Sequence, residues 1–121
     1  MKFVAIISAV AAIAAAGSAN AVEMKDIEYL QAVRCDALAG SSLIKADTTA
    51  IDALLRDQRY GRNPHIQERA KTERARAARQ ARSADEKVQA EIRNEVASAC
   101  QIWLGGEESV KAARANAPSA D

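Results

Sequence analysis

The sequence predicts an all-α protein: a disulfide-stapled antiparallel helical hairpin, or a small helical bundle, with one long helix of about 40 residues. Three observations carry this expectation. Ala, Glu, Arg, Leu and Gln dominate the chain after residue 21, and no alternating strand pattern of useful length occurs. Apolar residues recur at three- and four-residue steps, as on one face of a helix. Two cysteines, Cys35 and Cys100, follow a segment with the form of an export signal.

That segment occupies residues 1–21. Met1 and Lys2 give a short positive start, Phe3 to Ala16 form an uncharged run rich in Ala, Val and Ile, and Ala19 and Ala21 fit the A-x-A cleavage pattern. The apolar run is shorter than the ~20 residues that span a bilayer, which favours a cleaved signal over an anchor. Arg34, directly before Cys35, does not fit a lipoprotein signal. The expected address is therefore periplasmic or secreted, in a Gram-negative bacterium. In an oxidising compartment an even cysteine pair reads as a disulfide, here Cys35–Cys100. Closing so long a loop is worth about 4 kcal/mol by the chain-entropy argument.

Removing the signal takes Lys2 from a chain of 17 Lys+Arg and 16 Asp+Glu, which leaves 16 of each sign. The remainder supports one small domain and excludes two. Its balanced charge argues against a general nucleic-acid binder.

The first helical segment presents Ile27, Leu30, Val33, Ala37 and Leu38 as its apolar face. Gly40-Ser41-Ser42 lowers helix propensity, although Leu30, Ala37, Ile44 and Ile51 keep a seven-residue period across it, so an unbroken helix stays open at this point. Asp47-Thr48-Thr49 offers a fresh N-cap before Ile51, Leu54 and Leu55. The sharpest boundary is Tyr60-Gly61-Arg62-Asn63-Pro64: Gly61 suits a left-handed position, Asn63 an N-cap and Pro64 a first turn. Beyond it, Ile66, Ala70, Ala77, Ala81, Ala84, Val88, Ile92, Ala99 and Trp103 stay in one stripe. That favours a single helix to Leu104, even though Ser83-Ala84-Asp85-Glu86 resembles a capping box. The domain is thus expected over 22–104, with a helix–turn–helix around 61–64. Residues 105–121, with Val110 their one large apolar side chain, are expected to be a flexible tail.

Geometry tests this scheme. From Gly61 back to Cys35 is 26 residues, about 39 Å of helix, and from Pro64 to Cys100 is 36 residues, about 54 Å. Bridged cysteines need Cα atoms within about 7 Å, so two straight helices fail. Either 40–47 opens into an extended link or the long helix breaks at Ser83; the unbroken stripe favours the first. In that arrangement Ile51, Leu54, Leu55 and Tyr60 face the alanines of the long helix. Ile27, Leu30, Val33, Ile92, Val96, Ile102 and Trp103 then cluster around the disulfide.

Little in the chain suggests chemistry. His65, the only histidine, stands at a helix start, where the backbone dipole disfavours imidazolium, and a metal site needs several further N or S donors. Ser41, Ser42, Thr48 and Thr49 lack an activating base nearby. Carboxylate pairs such as Asp85-Glu86 and Glu107-Glu108 sit in exposed settings, with no sign of a buried pair tuned for acid–base work. No enzyme activity, metal or cofactor is expected.

Charge points outward instead. Between Arg56 and Arg82 there are nine basic residues against Asp57, Glu68 and Glu73, centred on the turn. Arg59, Arg62, Arg69, Arg76, Arg79 and Arg82 are the candidate partner-binding residues. The expected function is that of a non-enzymatic exported interaction protein: an accessory subunit, inhibitor or adaptor that meets another envelope protein or an anionic envelope component. The alternatives are a module binding anions or membrane surfaces through an arginine-rich hairpin tip, and a periplasmic stress chaperone. Peripheral membrane contact and a homodimer are compatible with these features. Specific nucleic-acid binding is not, because no aromatic residues interleave with the charges.

Overall fold

The computed structural model describes residues 22–116, so the signal expected at 1–21 and the last five residues lie outside the described residues. Among the described residues six helices follow one another: α1 (Asp26–Ala39), α2 (Thr49–Arg59), α3 (Pro64–Ala81), α4 (Glu86–Ala97), the single turn α5 (Gln101–Leu104) and α6 (Gly106–Asn116). No strand occurs among the described residues. No helix there is long and apolar enough to cross a membrane.

α1 is the axis of the bundle and packs against α2, α3, α4 and α5. Tyr29, Leu30, Ala32, Val33, Cys35, Asp36, Leu38 and Ala39 are all buried. At 100° per residue they cover the whole circumference, so α1 has no outer face over most of its length. Ile27, expected in the core, is 64% exposed. It sits in the first turn, at the edge of a surface hollow that it shares with Leu30, Arg69 and Glu73.

After Ala39 the chain leaves the helix. The Ser41 hydroxyl donates to the Leu38 carbonyl (2.6 Å), the Ala46 N–H donates to the Ala39 carbonyl (2.8 Å), and Lys45 takes a left-handed φ of 57°. The unbroken helix across Gly40 is thereby excluded. α2 restarts where Asp47 Oδ1 accepts from both the Thr49 N–H (2.9 Å) and its hydroxyl (2.7 Å). The turn into α3 follows the sequence closely. Gly61 has φ 79°, which a side chain would strain even in open space, and Asn63 Oδ1 accepts from the His65 N–H at 2.8 Å with Pro64 as first helical residue.

The turn at 61–64 does not make a closed hairpin of α2 and α3. Arg62, just before α3, reaches Asp26 at the start of α1, while Arg74 reaches Asp36 and Arg34 reaches Gln80. α1 and α3 therefore run parallel, with α2 antiparallel to both. The buried alanines of α3, at 70, 77 and 81, face α1 rather than α2. Ile51, Leu54 and Leu55 turn instead towards α1 and α6. The small side chains bring α3 close to the central helix, as expected of such a surface, but the partner differs from the one expected.

The long helix is not formed: α3, at 18 residues, is the longest among the described residues. It ends at Ala81, and both breaks that the geometry allowed occur, at 40–48 and at 82–85. Ser83 Oγ accepts from the Asp85 N–H (3.1 Å), and Asp85, not Ser83, caps α4 by accepting from the Lys87 N–H (2.9 Å). A second break at 98–100 brings Cys100 to Cys35, with Cα atoms 5.4 Å apart. Ala84 and Ala99, although in phase with the stripe, fall in these breaks and are exposed. Leu30, Val33, Ile92, Val96 and Trp103 gather in the same core as the disulfide, with Ile102 half-buried beside them.

The expected flexible tail is replaced, over 106–116, by α6. Gly106 takes φ 73°, and a Cβ there would stand 2.7 Å from the Ala50 carbonyl oxygen, so α6 begins in direct contact with the start of α2. Val110 is fully buried, and Arg114 ties α6 to the Glu23 carbonyl (2.7 Å) and to Glu28 (3.0 Å). One large side chain suffices because an apolar surface on α2 was waiting for it.

Candidate functional site

The six candidate arginines divide. Arg62 is turned inward. Its guanidinium donates to Asp26 (2.8 Å) and to the Met24 carbonyl (2.7 Å), its Nε donates to the Gln58 carbonyl (2.9 Å), and it lies 4.8 Å from the centre of the Tyr29 ring. With that side chain only 10% exposed, Arg62 ties the turn to the start of α1, and its guanidinium is committed to the fold rather than offered at the surface. The other five are exposed. Arg59 stacks near the exposed ring of Tyr60, 5.9 Å from its centre. Arg76 pairs with Glu73 at 3.4 Å, while Arg69, Arg79 and Arg82 make no ion pair among the described residues.

Inward-facing Ala77 and Ala81 fix the orientation of α3, and Arg79 lies about 180° from them. Arg69 and Arg76 flank it on one edge, Lys71 and Arg82 on the other. The positive charge is therefore a face running the length of α3, not a tip at the turn. Arg69 lies beside exposed Ile27 at one end. Arg82 at the other end borders a hollow formed with Ala37, Gly40, Ser41, Ser42, Arg74 and Ala78. Ser42 is an exposed loop residue, and His65 lies exposed at the start of α3. Among the described residues no three His, Cys, Asp or Glu side chains group to hold a metal ion.

One titratable cluster escaped the sequence. Asp36 is 7% exposed, yet it carries a carboxyl at the meeting point of α1, α2 and α3. Arg74 of α3 donates to its Oδ2 at 2.9 Å, and the Asp52 carboxyl of α2 lies near enough to act on it electrostatically. Burial and the neighbouring Asp52 carboxyl push the Asp36 pKa up to about 6, against the opposing pull of Arg74. Sixteen residues separate the two acids, so no local spacing marks the pair. The only sequence trace is an acid at position 36, between the core residues Cys35 and Leu38. A second ion pair, bidentate between Arg34 and Glu95 (2.7 and 2.9 Å), joins α1 to α4 next to the disulfide.

No family model, curated protein or solved structure matches this chain.

Proposed function

We propose that this chain is a non-enzymatic, exported protein of the bacterial envelope that docks an acidic partner protein through the outer face of α3. The observation that supports this reading is the lack of ion-pair partners for Arg69, Arg79 and Arg82, three exposed cations on an element whose opposite side is committed to the core. Charges bound elsewhere in the fold, Arg62, Arg34 and Arg74, already have carboxylates. A row of unpaired guanidiniums on a rigid helix steers an acidic surface and offers it forked donors.

The mature protein, used as bait in an extract of its native envelope, should capture a partner identified by mass spectrometry. Arg69→Glu/Arg76→Glu/Arg79→Glu should lose that partner while keeping its helical far-UV spectrum and melting temperature. Retention by the folded triple variant, at a salt concentration that leaves exposed charges unscreened, sinks the reading.

A second reading rests on a different observation. Ile27 and Tyr60 are exposed at the end of the bundle where α1 begins and α2 ends, beside Arg69 and Arg59 respectively. An aromatic and an aliphatic side chain flanked by arginines suit a headgroup layer, so Tyr60→Ser with Ile27→Ser would weaken a membrane contact and spare a partner held by the outer face of α3.

A further inference from the structure

A second basic site lies away from that outer face. α2 and α3 do not close on each other, and the cleft between them is floored by the central helix. Tyr29, Asp52, Leu55, Arg56, Arg59 and Arg74 line it, around a volume of about 280 Å³. Tyr29 is 4% exposed, yet its hydroxyl makes no hydrogen bond to any described residue. Every fully buried side-chain nitrogen or oxygen among the described residues does have a partner. The hydroxyl is therefore not sealed in but keeps some contact with solvent, and Tyr29 is one of the residues that line the cleft. A phenol so nearly buried with an unused donor marks a hydrogen-bonding position for something that enters from outside.

The walls say what enters. Arg56 is exposed and makes no ion pair among the described residues. Arg59 is oriented by its contact with the Tyr60 ring, and Arg74 is held from behind by Asp36. The one carboxylate in the wall, Asp52, accepts from the Thr48 hydroxyl through Oδ2 at 3.0 Å. Three guanidiniums and a phenolic O–H against one carboxylate form a site for an oxyanion. The hollow beside Arg82 does not compete, because α1 and α3 both end there and their terminal carbonyls repel an anion.

We infer that the cleft between α2 and α3 binds a phosphate-type oxyanion, with Arg56 and Arg59 as forked donors and the Tyr29 hydroxyl as the donor at its floor. The tetrahedral group has room to sit between the two arginines, where planar guanidinium forks match its oxygens. The site shares none of Arg69, Arg76 and Arg79 with the proposed docking face, so the two readings fail separately.

The test is an NMR titration of the mature protein with inorganic phosphate, paired with flotation on phosphatidylglycerol-containing vesicles against phosphatidylcholine alone. Saturable shifts centred on Tyr29, Arg56 and Arg59 are expected. Tyr29→Phe should weaken binding about 10-fold, and Arg56→Ala/Arg59→Ala at least as much. Tyr29→Phe keeps the ring and removes a hydroxyl without a protein partner, so the melting temperature should not move. Should that variant nevertheless unfold, the double-arginine variant decides alone. The triple variant of the outer face should bind phosphate like wild type. Vesicle flotation that requires Arg56, Arg59 and Tyr29 identifies a lipid headgroup as the source of the phosphate; saturation by phosphate without flotation identifies a free one. No saturable response to either probe, or affinities unchanged in both cleft variants, overturns the inference.

Discussion

α1 and α3 lie side by side and run in the same direction, yet they are built on opposite principles. α1 buries residues around its whole circumference and carries the half-cystine Cys35, so nearly all its side chains are spent on the fold. α3 buries only alanines among its apolar residues, with Ile66 half-buried, and leaves five cationic side chains in solvent. The first helix organises the molecule, whereas the third attaches to it by close approach and leaves its outer side in solvent. On the proposed reading, stability and docking fall on neighbouring elements, and substitutions should separate them.

The largest effect should come from the covalent tie of α1. Cys35→Ser removes the only cross-link between α1 and the α4–α5 joint. It should cost about 2–4 kcal/mol, seen as a lower urea midpoint, with the far-UV spectrum still helical. A variant as stable as wild type would mean that α1 is held by packing alone. The contrast with α3 would then lie only in side-chain size.

The periodicity of the sequence carried the helices and the turn, because local rules govern both. Gly61, Asn63 and Pro64 each act within one or two residues, and they stand as expected. The breaks at 82–85 and 98–100 were masked by the periodicity for a physical reason. Each interruption leaves the next helix close to the phase of the last, so Val88, Ile92 and Trp103 keep the stripe of Ala77 and Ala81. The capping-box pattern at Ser83-Ala84-Asp85-Glu86 marked the first break locally, but the unbroken stripe outweighed it. The reach of the disulfide alone showed that a straight helix could not serve. Which helix faces which was not legible either, since Ala70 and Ala77 fit any close neighbour equally well. Of the candidate site, the exposed arginines could be read from sequence. The inward role of Arg62 could not, because its partners Met24 and Asp26 are 38 and 36 residues away. The Asp36–Asp52–Arg74 cluster depends likewise on three helices meeting.

That cluster gives a pH test of how tightly α1 is enclosed. The folded-state pKa of Asp36, about 6, lies above its ordinary value of 3.8. The folded state thus holds the proton more firmly than the unfolded chain. The contribution of this group is fully present below its ordinary pKa and is lost as the pH rises through about 6. Asp36→Asn should remove that dependence. Measured by urea unfolding, the variant should gain on wild type by on the order of 2–3 kcal/mol between pH 4 and pH 7. Parallel curves for the two proteins across this range would show that Asp36 is as well solvated as a surface acid, and that α1 is less enclosed than its neighbours imply.

The smallest effects should come from α3, and there its two sides should respond differently. Ala77 is fully buried against α1, and the close approach of the two helices depends on its single methyl group. Ala77→Leu forces three further carbons into a packed seam and should cost about 1–3 kcal/mol. Arg79 lies on the opposite side, exposed and without an ion pair among the described residues. Arg79→Glu should change stability by less than about 0.5 kcal/mol, in the direction set by nearby charges. Urea midpoints of the two variants, measured with an unchanged m-value, decide the matter. A tolerated leucine would mean that α3 can back away from α1, which would make its alanines incidental. A strongly destabilising glutamate would mean that the outer face already serves the fold, and its arginines would then not be free for a partner.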